Sequence, residues 1–138
     1  MQHHFDHLAS LAHRPSREVI GLMSGTSLDG LDVAWCTIHG SGMDTKVEVR
    51  AFHTEPYDEG FKQEIRRVFA KKEIDFQHLV LLNVVVAERH AAIVNDCLRR
   101  WNLRPADVDL LASHGQTVFH APRVFHQLPE YPNATLQI

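Results

Sequence analysis

The sequence has few cysteines and no long apolar run. Only two of its 138 residues are cysteine, Cys36 and Cys97, and they form no C-x-x-C motif. This spacing and the apolar surroundings of both residues favour two buried, reduced thiols over a disulfide or a zinc site. No apolar stretch approaches the length of a membrane span, and no apolar segment resembles a secretory signal peptide. We therefore expect a cytoplasmic protein that does not bind membranes.

The sequence also lacks an excess of charge of one sign. Fourteen basic and seventeen acidic residues give a net charge of -3, without a long run of either type. Nucleic acids attract strongly basic surfaces, so we expect no nucleic-acid partner. A hydrophobic content of 44% over 138 residues is enough for the core of about one domain.

Two familiar phosphate-binding motifs are absent as well. Gly25 and Gly30 are too widely spaced for G-x-G-x-x-G, and no Gly-Lys-Ser/Thr sequence closes a P-loop. Residues 19–36 nevertheless combine two apolar runs with an intervening turn rich in glycine, hydroxyl and carboxylate groups. Glycine lets backbone amides approach an anion, and hydroxyls add further donors. The turn is therefore a candidate phosphate cradle.

The carboxylates of Asp29 and Asp32 complicate the interpretation of this turn as a phosphate site. A carboxylate beside a phosphate repels it unless a divalent cation lies between them, so a nucleotide held with Mg²⁺ would satisfy both groups. The same composition is also ordinary for the turn of a β-hairpin. From the residues alone, a phosphate site and a plain turn both stay open.

Residues 1–16 form a polar segment that is rich in histidine. The spacing of His3 and His7 would present two imidazoles on one helical face, but no acidic or cysteine partner accompanies them. Because chain termini are usually loose, we expect a flexible polar leader.

An antiparallel meander of three strands is predicted after this leader. Apolar and alternating patterns cover residues 19–23, 31–38 and 46–52, with short turns between them. Trp35 and Cys36 are apolar neighbours that point to opposite faces of the second strand. We therefore expect this strand to be covered on both faces.

Two helices are predicted next. The first begins after residues 57–60, and its shared apolar face comprises Phe61, Ile65, Val68 and Phe69. Asp75 is a candidate N-cap for a longer helix over residues 76–101. Because residues 84–87 are apolar all round, we expect this helix to be largely buried. His90 and its polar neighbours are interpreted as structural residues near its exposed face.

A second polar segment follows a short, buried strand predicted over residues 108–112. Its members are Ser113, His114, Gly115, Gln116 and Thr117. In an open α/β sheet, polar residues just past the carboxyl end of a strand line the ligand crevice. We therefore expect this segment to be a second turn that faces the same cleft as the glycine-rich turn. His114 and Gln116 could hydrogen-bond a sugar. Alternatively, both side chains are satisfied by neighbouring backbone groups.

These two segments carry a family resemblance. The sequence GLMSGTSLDGLD at residues 21–32, SHGQTVFH at residues 113–120 and ATLQI at residues 134–138 occur in this order. In order and spacing they resemble the anhydro-N-acetylmuramic acid kinases, which belong to the superfamily of sugar kinases, actin and heat-shock chaperone ATPases.

The resemblance implies an α/β fold of the ribonuclease H-like, actin-like ATPase type, in which an antiparallel strand meander is followed by helices and further strands. Residues 17–138 would be the N-terminal part of such a domain, and a second domain would lie outside this chain. The implied ATP-binding residues are Gly25, Thr26, Ser27, Leu28, Asp29, Gly30, Leu31 and Asp32. Asp29 would hold Mg²⁺, directly or through water, and residues 113–117 would lie at the sugar end of the cleft.

The implied reaction uses ATP and water to convert 1,6-anhydro-N-acetylmuramic acid, a product of cell-wall peptidoglycan recycling, into N-acetylmuramic acid 6-phosphate and ADP. The family places its catalytic aspartate in an Asp-Phe-Arg segment beyond the Thr-Leu-Gln-Ile strand, so we expect no catalytic base before Ile138 and no activity from these residues alone. The resemblance also implies a homodimer. The alternatives are a noncatalytic nucleotide-binding module, a truncated relative, or a nucleotide-binding fold that acts on another sugar.

Overall fold

The computed structural model describes residues 2–138, with side chains from residue 5 onward except that of residue 7. The side chains of His3 and His7, which were considered as a metal pair, lie outside the described residues. The helices and strands are α1 (Gln2–Ala12), β1 (Ser16–Ser24), β2 (Gly30–His39), β3 (Lys46–Pro56), α2 (Glu59–Arg66), α3 (Phe76–Arg100), β4 (Leu110–Ala121), α4 (Arg123–His126) and β5 (Ala134–Gln137). Two short 3-10 turns lie at Gly42–Asp44 and Pro105–Asp107.

The strands form one mixed sheet in the order β3-β2-β1-β4-β5. The first three strands are an antiparallel meander, as predicted. Strand β4 then lies parallel to β1, and β5 lies antiparallel to β4. Because α2 and α3 separate β3 from β4 in the chain, the connection is long enough to bring β4 alongside β1 in parallel. The chain is therefore an α/β protein.

The N-terminal segment differs from the prediction in containing a helix. Helix α1 occupies Gln2–Ala12, and β1 already begins at Ser16. Three apolar residues recur at intervals of three, a helical spacing that the histidine-rich composition obscures; they are Phe5, Leu8 and Leu11. Leu11 is buried, whereas Phe5 and Leu8 are exposed. The flexibility of this segment stays a prediction.

Helices α2 and α3 pack against one face of the sheet. Both begin at predicted positions: the side chain of Asp58 accepts a hydrogen bond from the Phe61 amide, and that of Asp75 accepts one from the His78 amide. The core between sheet and helices includes Ile20, Leu22, Leu31, Val33, Ile65, Leu82, Val86, Ile93, Val94 and Cys97. Cys97 and Cys36 are both free thiols; Cys97 is buried as predicted, whereas Cys36 is only half-buried.

The prediction that α3 is largely buried is wrong for its first half. Val80, Leu81, Val84 and Val85 are 44% to 57% exposed. Only the stripe that includes Leu82 and Val86 meets the sheet, because a helix beside a single sheet presents one face to it. None of the helices in the described part of the chain combines the length and apolar character that crossing a membrane requires.

The prediction that both faces of β2 are covered is also wrong for the described residues. On the side of Trp35, the helical layer is present, and its ring stacks on Trp101 with centroids 6.5 Å apart. On the side of Cys36, the neighbouring strand leaves Val49 61% and Phe52 60% exposed. One sheet face is therefore buried and the other is largely open.

Strand β4 is longer than predicted and contains the residues that were expected to form a turn. It runs from Leu110 to Ala121 without interruption, so residues 113–117 lie inside a strand. Pairing with β5 explains the difference, because Gln116 and Ile138 exchange two backbone hydrogen bonds of 2.7 and 3.0 Å. The predicted burial of its first part is wrong as well, since Leu110 is 39% and Leu111 56% exposed.

Candidate functional site

The turn between β1 and β2 is tightly fixed by its own backbone. Leu28 has a left-handed backbone conformation (φ 58°), and its amide donates to the Gly25 carbonyl oxygen at 3.4 Å. A side chain on Gly30 would lie 2.3 Å from the carbonyl oxygen of Glu55, so only glycine fits there. The shape of the turn is thus set at both of its ends.

The tip of this turn presents polar groups to solvent. Thr26, Ser27 and Asp29 are exposed, and their side chains make no hydrogen bond to any residue that the structure describes. Gly25 leaves the backbone accessible, since the nearest atoms to an added Cβ would be 3.7 and 3.8 Å away. Two hydroxyls, a carboxylate and an uncovered glycine backbone are therefore available to a ligand at one place.

The two aspartates of the predicted cradle have different surroundings. Asp29 lies at the exposed tip, whereas Asp32 lies within β2 and accepts a hydrogen bond from the Thr54 hydroxyl at 2.6 Å. Asp32 also lines a shallow cavity of about 490 Å³ on the open face of the sheet, together with His114. Asp29 is consequently the carboxylate that is free to meet a ligand at the tip.

Two further residues of the predicted ATP-binding set are core residues. Leu28 is 3% exposed and Leu31 is fully buried. Both side chains belong to the hydrophobic core beneath the turn. They anchor the turn on the sheet, and their side chains do not reach the solvent-facing tip.

The second polar segment lies beside the first, but as part of a strand and not as the predicted second turn. Ser24 pairs with Gln116 across the parallel strands, and the Ser24 hydroxyl contacts the Gln116 Oε1 at 2.5 Å. The Gln116 amide nitrogen also donates to the carbonyl oxygens of Gly25 (3.4 Å) and Thr117 (3.1 Å). Gln116 is fully buried, so its amide holds the base of the turn and does not face a cleft.

A chain of buried hydrogen bonds continues from Ser24 into the helical layer. The Ser24 hydroxyl lies 2.7 Å from the Tyr57 hydroxyl, which lies 2.8 Å from His90 Nε2. Burial raises the pKa of Tyr57, although the bond to Ser24 opposes this shift. Burial, together with the nearby His114, lowers the pKa of His90. Both groups are therefore held in their neutral forms.

Three residues of the second segment line a cavity of about 490 Å³ between α3, β4 and the end of β5. Its walls include Leu22, Val86, His90, Ser113, His114, Gly115 and Ile138. The His114 ring nitrogen Nδ1 is 3.1 Å from the Gln137 amide, and the Ser113 hydroxyl accepts from the Gly115 amide at 3.0 Å. Thr117 is 8% exposed and contacts Gln137. Ser113 and His114 thus line both this cavity and the shallow one on the open face, whereas Thr117 does not line this cavity.

The donor set at the turn fits a cation that is shared with a ligand. Within the described part of the chain, no three histidine, cysteine or carboxylate groups converge as they would to enclose a metal. Mg²⁺ usually takes only one or two protein carboxylates and fills its other positions with water and phosphate oxygens. The exposed carboxylate of Asp29 meets that requirement.

Tyr57 and His90 are the residues of this region that sequence reasoning did not identify. His90 was placed near the exposed face of its helix, but it is 7% exposed. A signal was present, because His90 follows Val86 by four residues and precedes Val94 by four, on the buried stripe of α3. No local pattern pointed to Tyr57, whose partners are remote in sequence.

Together, fold and site define an α/β protein with a hydroxyl-lined glycine turn at the carboxyl end of its first strand. The family model "Anhydro-N-acetylmuramic acid kinase" matches residues 17–137. The chain belongs to this family.

Curated relatives agree with this assignment. The chain is 52% identical over its whole length to an anhydro-N-acetylmuramic acid kinase of Pseudoalteromonas atlantica and 48% identical to one of Pseudoalteromonas translucida, covering 34% of each relative. It is 35% identical to that of Caldanaerobacter subterraneus subsp. tengcongensis over 96% of this chain and 34% of the relative. The chain therefore spans about a third of the length of these relatives.

Proposed function

We propose that the protein containing this chain is an ATP-dependent kinase of 1,6-anhydro-N-acetylmuramic acid. It uses ATP and water to open the anhydro bridge and to phosphorylate O6, which yields N-acetylmuramic acid 6-phosphate and ADP. The observation that carries the proposal is the exposed turn tip, with unpaired hydroxyl and carboxylate groups, in a chain of this family. Such donors suit phosphoryl transfer, which depends on positioning and on stabilising the charge of the phosphates.

We assign the phosphate-binding contacts to the turn. The backbone of Gly25 and the hydroxyls of Thr26 and Ser27 donate to the β- and γ-phosphates. Asp29 would hold Mg²⁺, directly or through water, and the ion would supply charge neutralisation at the transferring phosphate. Leu28 and Leu31 hold the turn on the core, and Gly30 permits its close approach to β3.

The sugar is proposed to bind at the cavity that Ser113, His114 and Gly115 line. Its volume of about 490 Å³ lies within the usual range of small-molecule sites. The cavity adjoins the base of the turn through His90 and Leu22. A ligand in this cavity would therefore lie next to the base of the turn. The base that activates water for opening the anhydro bridge is expected outside these 138 residues.

The finer fold assignment is part of the same proposal. A strand meander, a long helix and a strand parallel to the first are consistent with the first part of a ribonuclease H-like, actin-like ATPase domain. We propose that residues 17–138 belong to such a domain and that a second domain completes the site. The 34% coverage of relatives and the exposed apolar residues of α3 and β3 support a larger protein.

Asp29→Asn tests the proposal in the full-length protein. We expect turnover of ATP with the anhydro sugar to fall about 10- to 100-fold, because an amide is a much weaker partner for hydrated Mg²⁺. The melting temperature should hardly change, since the Asp29 side chain is exposed. Turnover is measured as ADP release that depends on the sugar.

Asp44→Asn is the matched control, because Asp44 is exposed and lies in the remote Gly42–Asp44 turn. Equal turnover in the parent and Asp29→Asn proteins would remove Asp29 from the mechanism. A full-length parent that binds ATP but releases no ADP would favour a noncatalytic nucleotide-binding module. Release with a different sugar only would identify another substrate.

A further inference from the structure

Tyr57 touches both ends of the glycine turn. Its hydroxyl lies 2.7 Å from the Ser24 hydroxyl, at the start of the turn, and its backbone amide donates to the Asp29 carbonyl oxygen at 3.0 Å. The side chain is 3% exposed and packs edge-on against Phe61, with ring centroids 4.7 Å apart. A single rigid residue therefore spans the segment that carries the proposed phosphate contacts.

The orientation of the Gln116 amide is fixed by its neighbours. One end of this amide faces two carbonyl oxygens, those of Gly25 and Thr117. Carbonyl oxygens only accept hydrogen bonds, so the nitrogen of Gln116 must be the end that faces them. Its Oε1 then faces the Ser24 hydroxyl and can only accept.

This orientation determines the direction of every other bond in the chain. Ser24 has one hydroxyl hydrogen, which it donates to Gln116. In the Ser24–Tyr57 contact, Tyr57 must therefore be the donor. With its hydrogen used there, the Tyr57 oxygen accepts, so the bond from His90 requires a hydrogen on Nε2.

We infer that Tyr57 and His90 are positioning residues for the glycine turn, acting through a chain of hydrogen bonds that runs in one direction from His90 Nε2 to the Gly25 carbonyl oxygen. The inference rests on the proposed function of the turn as a phosphate site. Removing any donor leaves a buried acceptor unpaired and frees Ser24 or Gln116 to turn. The backbone at Gly25 then loses its fixed position relative to the phosphates.

Preorganised donors explain why this arrangement would affect catalysis as well as stability. Donors that already point at the developing charge need no rearrangement during the reaction. The four side chains come from four separate elements or their ends: Ser24 from β1, Tyr57 from the end of β3, His90 from α3 and Gln116 from β4. The chain thus ties the turn to the sheet and to the helix.

Tyr57→Phe in the full-length protein is the first test. We expect the Kd for Mg·ATP to rise or kcat to fall by about tenfold, the equivalent of one lost hydrogen bond. The KM for the anhydro sugar should change less, because Tyr57 itself does not line the proposed sugar cavity. An unchanged Kd for ATP and an unchanged kcat in a folded Tyr57→Phe protein would overturn the inference.

Thr37→Val is the matched control for loss of a buried hydroxyl. Thr37 is 8% exposed and donates to Glu18 at 2.9 Å, at the opposite end of β2 from the turn. We expect it to lower the melting temperature about as much as Tyr57→Phe but to leave ATP binding and kcat unchanged. Equal losses of ATP binding in both variants would show a purely structural effect and overturn the inference.

A pair of substitutions at His90 tests the donor itself. His90→Gln retains an N–H at a similar reach, whereas His90→Leu keeps the volume but removes the donor. Relative to the parent protein, we expect ATP binding and kcat to be retained in the glutamine variant and reduced about tenfold in the leucine variant. Equal ATP binding and kcat in the two variants would contradict the positioning function.

The tautomer of His90 provides a readout that does not depend on activity. Nitrogen NMR of the full-length protein, labelled at histidine and assigned with His90→Gln, should show a neutral ring protonated at Nε2. Protonation at Nδ1 alone would overturn the proposed chain of hydrogen bonds, even if the enzyme were active. An inactive parent protein would instead count against the proposed kinase function. The tautomer of His90 would still show whether the proposed hydrogen bonds run in the inferred direction.

Discussion

The tip and the base of the glycine turn are adjacent in sequence but opposite in chemistry. At the tip, Thr26 and Ser27 are exposed and their hydroxyls have no partner among the described residues. At the base, Ser24 is 1% exposed and its hydroxyl is bonded to both Tyr57 and Gln116. Polar groups that the protein has already paired are unavailable to a ligand. The comparison separates residues that bind from residues that hold the binding turn.

Leu31→Ala should have the largest effect on stability. Leu31 is fully buried beneath the turn, so its truncation leaves a cavity and lowers the free energy of unfolding by about 3 kcal/mol. Thr26→Ala, at the exposed tip, should change it by less than about 0.5 kcal/mol. Denaturant unfolding of the full-length protein measures both values. Similar values for the two variants would remove the distinction between tip and base.

Gly30→Ala should have the next largest effect. The new Cβ would lie 2.3 Å from the Glu55 carbonyl oxygen, so the backbone must shift at a cost of about 2 kcal/mol. Gly25→Ala is the matched control, because its Cβ would lie 3.7 Å from the nearest atom. We expect it to leave stability almost unchanged while weakening ATP binding. A stable Gly30→Ala protein with its turn unchanged would contradict this difference.

His90→Gln should have the smallest effect, which appears as a change in pH dependence. Burial lowers the pKa of His90 in the folded protein below its value of about 6.5 in the unfolded chain. As the pH falls, the unfolded chain therefore takes up the proton of this histidine at a higher pH than the folded protein does. Stability therefore falls as the pH drops through that range toward the folded pKa. His90→Gln should make the fall shallower between about pH 7 and 5.

His39→Gln is the control for that measurement, since His39 is exposed at the end of β2. It shows how much of the change comes from removing any imidazole. Thermal unfolding at several pH values gives the comparison. Identical slopes in the His90→Gln and parent proteins would mean that burial of His90 does not contribute to acid sensitivity.

The local signals in the sequence predicted the order and type of most elements. Alternating apolar residues predicted the meander, and Asp75 predicted the start of α3 at Phe76. Such predictions succeed because capping and strand alternation depend on neighbours in the chain. The glycine turn was likewise visible from Gly25, Thr26 and Ser27, and the exposure of the two hydroxyl residues follows from their place between two strands.

The predictions that failed depended on which elements pack together. Residues 113–117 have the composition of a turn, but pairing with β5 keeps them in β4. Val84 and Val85 have the composition of a buried helix, but the described part of the chain leaves them exposed. Gln116 was considered as a sugar ligand, whereas its amide is used by Ser24 and Gly25.

The three sequence motifs were therefore enough to indicate the family by resemblance, and the local patterns were enough to predict the strand order of the meander and the turn that carries the exposed hydroxyls. They were not enough to separate Ser24 from Thr26, two hydroxyl residues with one glycine between them. That distinction depends on Tyr57, His90 and Gln116, which lie 33 to 92 residues from Ser24 or from one another along the bonded chain. Hydrogen-bond partners that are remote in sequence meet only when the sheet and helix have packed, so the tertiary structure decides which donors remain for a ligand.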